Sequence, residues 1–397
     1  MNRTPIAIAV ELAHAKLSAS GSKVWLTCTP SARLAEQFPD ETSDFAAQGT
    51  YMHALFEHHL LCYLGRDTEH AIINDLPGHA KYHDHEVSDA VDQAVGRAIE
   101  RIEHARSVCK DPVILLEQRL DFSHIVPEGF GTGDLVIITD DYIETDDLKG
   151  GKGLEISAVG NTQLRLYLSG ALNTYGHLYS PKRVIGAILQ PRLNNYSIED
   201  ISVDELQAWE REVVVPAAKL AWAGEGEFVA GEHCSSGFCR ARFTCAARAG
   251  HNLVIAKQDF ALLDPELMTD EQIAKALVVA DQTIGWLKDV QTHALKQATH
   301  GHAIDGFKLV EGRSNRVITN PDELAKRLVA GGIPEEVLYE RSMLGLTALE
   351  KVAGKKVLAA AAGNDLITKP PGKPVLVPVT DKREAINSMA SAISDFS

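Results

Sequence analysis

No stretch of this chain is long and apolar enough to read as a membrane span. Pro5 to Val10 is a short apolar run, and Glu11 and His14 interrupt it, so neither a secretory signal nor a membrane anchor is expected. Positive charge is also in deficit: 39 Lys and Arg against 54 Asp and Glu leave a net charge of −15. Such a surface does not adhere indiscriminately to nucleic acid. Local phosphate contacts and an acidic metal site remain compatible with it. Cysteine is sparse and uneven, with six in 397 residues, which argues against a disulfide scaffold. Internal repeats are lacking. A cytoplasmic protein without a membrane partner is the expectation.

What is present is an ordinary globular composition, 45% hydrophobic and 23% charged, in a chain long enough for two or three domains. The most informative stretch runs from Gly133 to Lys149. Leu135 to Thr139 and Tyr142 to Leu148 are apolar and β-branched runs joined by an acidic turn, which predicts a hairpin. A two-residue loop at Asp140 and Asp141, or a four-residue one in the same register, sets Asp134 directly opposite Asp147. Asp147 and Lys149 then share one face of their strand. Opposed carboxylates repel, so the pair asks for a cation between them. Two carboxylates around a divalent metal with a lysine alongside suit phosphodiester cleavage. The plain alternative is a solvated acidic hairpin, since Glu144 and Asp146 are acidic too.

Around this hairpin, residues 46–66 and 84–107 carry helical periodicity, including Val87, Val91, Val95, Ile99 and Ile102. A loop with His79, His83 and His85 lies between them, and Val113 to Leu116 reads as a strand leading to Glu117. Thr162 to Leu178 reads as a helix, Val184 to Gln190 as a strand, and Asp204 to Ala223 as a further helix. This order predicts an α/β core, a small mixed sheet flanked by helices. From residue 251 the character changes. Thr269 to Gln272 is a capping box opening a helix, Pro321 to Ala330 is a second helical stretch, and Lys369 to Pro374 is a stiff linker. The expected division is therefore 1–250 and a mainly helical region over 251–397.

Three further features carry chemistry. His53 stands near an apparent helix start, and Gln163 and Tyr167 are four apart on one helix face. Cys234, Cys239 and Cys245 fall within a dozen residues and read as soft-metal ligands for zinc or an iron–sulfur cluster. A fourth ligand must come from Cys28, Cys62 or Cys109. Cys28 sits in a polar loop before Pro30, whereas Cys62 lies among leucines and reads as a core thiol, so Cys28 is expected. Candidate phosphate contacts are Arg240, Arg242 and Arg248, then Lys182, Arg183 and Arg192, then Lys308, Arg313 and Arg316.

Taken in order, Gly-Thr-Gly-Asp134, Asp147-Leu-Lys149-x-Gly-Lys-Gly153 and Gln163-Leu-Arg-Leu-Tyr167 resemble the RecB-type branch of the PD-(D/E)XK nuclease superfamily. Within that branch it resembles the iron–sulfur members related to the CRISPR adaptation nucleases and AddB, and it is closer still to a phage and prophage family. The segments 306–316 and 373–383 extend the resemblance to that family. The resemblance implies a restriction-endonuclease-like fold and a Mg²⁺- or Mn²⁺-dependent DNA exonuclease acting in phage recombination or replication. It implies His53, Asp134 and Asp147 as metal ligands, Lys149 as assistant to the attacking water, and Gln163 and Tyr167 as positioning groups. Cys28, Cys234, Cys239 and Cys245 would bind a [4Fe–4S] cluster, with Zn²⁺ the alternative. Four residues separate Cys234 from Cys239 where the family has two, which makes His233 a substitute ligand. Glu117 stands where several relatives carry an acid, and is not counted as a ligand. DNA, and a phage single-strand annealing or replication protein, are the implied partners, met in the host cytoplasm. The rival readings are a non-catalytic DNA-binding or assembly module on the same fold and a zinc-stabilised nucleic-acid-processing protein.

Overall fold

A computed structural model describes residues 15–39, 44–66, 73, 76–260, 270–308, 326, 327, 329 and 330. Two short helices, α1 (Ser22–Thr27) and α2 (Ser31–Ala35), precede α3 (Asp44–Tyr63), α4 (His79–Tyr82) and α5 (His85–Val108). Strands β1 (Val113–Asp121), β2 (Phe130–Ile138) and β3 (Tyr142–Leu148) follow, then α6 (Thr162–Tyr179), β4 (Arg183–Gln190) and β5 (Asn195–Ser202). The remaining helices are α7 (Val203–Trp209), α8 (Val215–Ala223), α9 (His233–Ser236), α10 (Ala246–Phe260) and α11 (Asp270–Thr299).

The five strands form one mixed sheet in the order β1-β2-β3-β4-β5. Only β3 and β4 run parallel, joined by the α6 crossover, and the other neighbours are antiparallel. The second half of β2, Leu135 to Ile138, reads as a continuous apolar run because both sheet faces are covered there. Leu135 and Ile137 pack under α3 and α5, while Val136 and Ile138 pack under α6. Asp84 caps α5 through the N–H of Val87, and Asn161 caps α6 through the N–H groups of Gln163 and Leu164. The α/β class and the flanking helices are as expected.

The β2–β3 turn is the shorter of the two loops that the sequence register allowed. Thr139 N–H donates to Tyr142 O at 2.9 Å, and the Thr139 hydroxyl oxygen accepts from Tyr142 N–H at 2.9 Å. β5 was not anticipated. Its alternation is diluted by polar residues because it is an edge strand, with Tyr196 and Ile198 each 36% exposed. The helix expected over 204–223 is interrupted by a π-helical turn at Glu210–Val214.

The chain divides into compact units 1–300 and 301–397, about fifty residues beyond the expected boundary. Helix α10 runs straight through residue 250, and buried Arg248 holds Asp289 of α11 at 2.6 Å. In the second unit, residues 326, 327, 329 and 330 are helical, within the stretch expected to be so. The segment 309–320 and the linker at 369–374 lie outside the described residues.

Candidate metal centre and cysteine pocket

The β2–β3 ladder ends with Leu135 against Asp146, and the next step of that register sets Asp134 against Asp147. On the other side, Leu116 pairs with Leu135 and Gln118 with Gly133, so Glu117 lies across from Asp134. Three carboxylates thus line up across three strands, at the level where both ladders are interrupted. Glu117 adopts a left-handed backbone with φ of 45°, a conformation that costs a non-glycine residue about 1–3 kcal/mol.

Asp134 is buried and divides its two oxygens. Oδ2 accepts the N–H of Leu148 at 2.7 Å, and Oδ1 lies 3.0 Å from Nδ1 of His53 on α3. His53, Glu117 and Asp134 each offer a ligand atom, all within 4.8 Å of one another. Burial opposes charge on His53. The Asp134 charge and hydrogen bond, aided by Asp147 and Glu117, nevertheless push the imidazole up to about 9. Burial, then the Asp134 charge, raises Glu117 to about 7 against the opposing pull of His53. Glu57, one helical turn beyond His53, is raised by burial and then by Asp134. Carboxylates that converge closely enough to raise one another are a natural seat for a cation.

Asp147 is held from the other side. Lys149 Nζ lies 2.8 Å from its Oδ2, and Gln163 Nε2 donates to its Oδ1 at 3.0 Å. Gln163 Oε1 accepts from Lys149 at 2.9 Å, and its amide is 3.0 Å from the Tyr167 hydroxyl. Burial and then the charge of Asp147 keep the Tyr167 phenol protonated well beyond its usual range. Burial raises Asp147, Lys149 lowers it, and Asp134 adds to the rise. The structure therefore gathers all six expected residues, His53, Asp134, Asp147, Lys149, Gln163 and Tyr167. The compact donor group differs from the expected one, however: Glu117, and not Asp147, joins His53 and Asp134 in it. The signals for Glu117 and Glu57 were an acid directly after the apolar run 113–116, inside β1, and the four-residue His53–Glu57 spacing.

Cys28, Cys234, Cys239 and Cys245 line one pocket with Val24, Ser31 and His233. Burial, and then the nearness of the other three thiols, pushes the Cys239 thiol up, against a backbone N–H that lowers it. The His233 Nε2 is 2.9 Å from the carbonyl of Val229, so it donates there and is not a free ligand atom. Cys62 is exposed on α3, and Cys109 caps α5. Several expected phosphate contacts serve internal roles instead. Arg248 and Arg242 face Asp289, Arg183 pairs with Asp141 and Asp200, and Arg192 is buried. Arg313 and Arg316 lie outside the described residues. Among the described residues, no helix is long and apolar enough to cross a membrane.

A family model described as "Protein of unknown function (DUF2800)" matches residues 14–384. Among solved structures, that of SSO0001 aligns with a TM-score of 0.23 and 14% identity, over 50% of this chain and 96% of that one.

Proposed function

The chain belongs to the DUF2800 family, and we propose that it is a metal-dependent DNA nuclease of the PD-(D/E)XK type, acting on DNA ends. The observation that carries this reading is the pairing of a compact His53–Glu117–Asp134 donor set with the Lys149–Asp147–Gln163 triangle beside it. The donor set, one imidazole and two carboxylates, fits Mn²⁺ or Mg²⁺, with Asp147 adjoining. Bound there, such an ion lowers the pKa of a coordinated water and neutralises charge on a phosphate.

The chain's own groups supply the rest. Lys149 is a charge fixed by two partners, ready to meet the anionic phosphorus centre without reorganising. Gln163 holds the ammonium and Asp147 together, and Tyr167 steadies Gln163 as a neutral partner. We assign the four-cysteine pocket to a structural [4Fe–4S] cluster, because four soft donors converge from sequence positions far apart. Action on phage recombination or replication intermediates, alongside an annealing or replication protein, is the context this reading implies.

End-labelled linear DNA and closed circular DNA, incubated with Mg²⁺ or Mn²⁺, test the proposal. Linear DNA should be shortened from its ends and circular DNA spared. Asp147→Ala and Lys149→Ala should each lower cleavage at least a hundredfold. Full activity in the Asp147→Ala protein would overturn the assignment.

A further inference from the structure

The connection from Lys149 to α6 is gripped by side chains from the β4–β5 turn. Gln190 Nε2 donates to Leu154 O at 2.9 Å, and its Oε1 accepts from Ile156 N–H at 3.0 Å. Asn195 Nδ2 donates to Ile156 O at 2.8 Å. Closest to the candidate centre is Arg192, whose side chain is only 7% exposed. Its Nη1 donates to the carbonyl of Gly150 at 2.9 Å and to Gln48 Oε1 at 2.9 Å, while Nε lies 3.5 Å from Glu86 Oε1. One guanidinium therefore joins α3, α5 and the residue immediately after Lys149.

Gly150 also lies close against α3. A Cβ there would stand 2.6 Å from Sδ of Met52, the residue before His53. The backbone at Gly150 is thus held through its carbonyl by the guanidinium and through close packing by Met52, which limits where the following and preceding residues, Lys149 included, can move.

We propose that Arg192 is a positioning residue for Lys149, acting through the Gly150 carbonyl and not through substrate. The proposal rests on the nuclease reading. A planar guanidinium suits the task, because Nη1 reaches the Gly150 carbonyl and the Gln48 amide while Nε, held rigidly on the same plane, faces Glu86. Lysine at this position keeps the charge but loses that plane.

The test compares Arg192→Ala and Arg192→Lys with the unaltered full chain, using Mn²⁺ and a linear duplex. Melting and Mn²⁺ titration come first. Both variants are expected to fold and to bind Mn²⁺ within threefold of the unaltered chain, since no metal donor is touched. Turnover should fall tenfold or more in Arg192→Ala with KM changed less than threefold, and guanidinium ion in the buffer should restore part of it. Arg192→Lys should show the same split without rescue. Unchanged turnover in Arg192→Ala would overturn the positioning role. If that variant does not fold, turnover in Arg192→Lys within twofold of the unaltered chain would overturn it equally. Cleavage that is absent from the unaltered chain, or indifferent to Asp147→Ala, would instead overturn the nuclease reading.

Discussion

His53 and Asp134 meet through a single contact, Nδ1 to Oδ1 at 3.0 Å, while the other oxygen of Asp134 is committed to the backbone of β3. The aspartate is thereby aimed, and the imidazole carries a proton that a metal must displace.

That proton predicts how metal affinity depends on pH. His53 is raised to about 9 and Glu117 to about 7, and both must be deprotonated to ligate. Mn²⁺ affinity should therefore climb about tenfold per pH unit between pH 7 and 9, and more steeply below 7. The metal-free chain moves oppositely on account of His53. Its raised pKa contributes stability that is complete below about pH 6.5 and lost as the pH rises through about 9. Calorimetric titration in two buffers of different ionisation enthalpy counts the released protons. An affinity that stays flat from pH 6 to 9 refutes this account, and Asp134→Asn should flatten the upper part of the curve.

On the opposite sheet face, Asp146 is fully buried beside Glu144, which Arg101 grips in a bidentate pair at 2.5 and 2.7 Å. Among the described residues neither Asp146 oxygen has a hydrogen-bond partner. Burial, then the Glu144 charge, drives this carboxyl well above its usual range. A raised carboxyl opposes folding once the pH exceeds its unfolded value of about 4. Asp146→Asn should therefore stabilise the chain at pH 7–8, by about 1–3 kcal/mol, and leave it unchanged near pH 3. Cleavage should not alter, because Asp146 points away from Asp147. A lower melting temperature at pH 8 would contradict the prediction.

The hairpin register, the two-residue turn and the α6 face bearing Gln163 and Tyr167 were legible because each follows from strand or helix periodicity over a few residues. Glu117 was not. Its place beside Asp134 depends on the β1–β2 register, which no short-range pattern specifies, and on a left-handed backbone that propensity disfavours. Arg192 read as a phosphate contact because sequence shows charge but not the depth at which it is buried. The Arg248–Asp289 pair, which spans residue 250, was hidden for the same reason.

That pair leads to a prediction about truncation. Arg248 is 2% exposed and donates to Arg242 O at 2.9 Å, Ser235 Oγ at 2.7 Å and Asp289 at 2.6 Å. A chain ending at residue 250 loses Asp289, the counter-charge of Arg248, together with the α11 residues packed around it. A chain ending at residue 300 keeps it. The shorter protein should melt well below the longer one and lose hydrogen-exchange protection around Cys234 to Cys245. Equal melting temperatures would show that α11 is dispensable for this unit.

The four cysteines give the last prediction. Four thiols brought into one pocket must lose their protons together to bind metal, and their charges are tolerable only with metal among them. Cys28 lies more than two hundred residues before Cys234, so ligation closes a very long loop. By the argument that applies to disulfides, this removes unfolded-state entropy equivalent to roughly 4–5 kcal/mol. Protein purified without oxygen should be brown, and Cys28→Ala or Cys239→Ala should bleach it and lower its melting temperature. Cys62→Ala should do neither, because that thiol stands exposed on α3, away from the pocket. A colourless protein carrying one equivalent of zinc would replace the cluster with a zinc site at the same four residues. Bleaching by Cys62→Ala with colour retained in Cys28→Ala would refute the pocket as the ligand set.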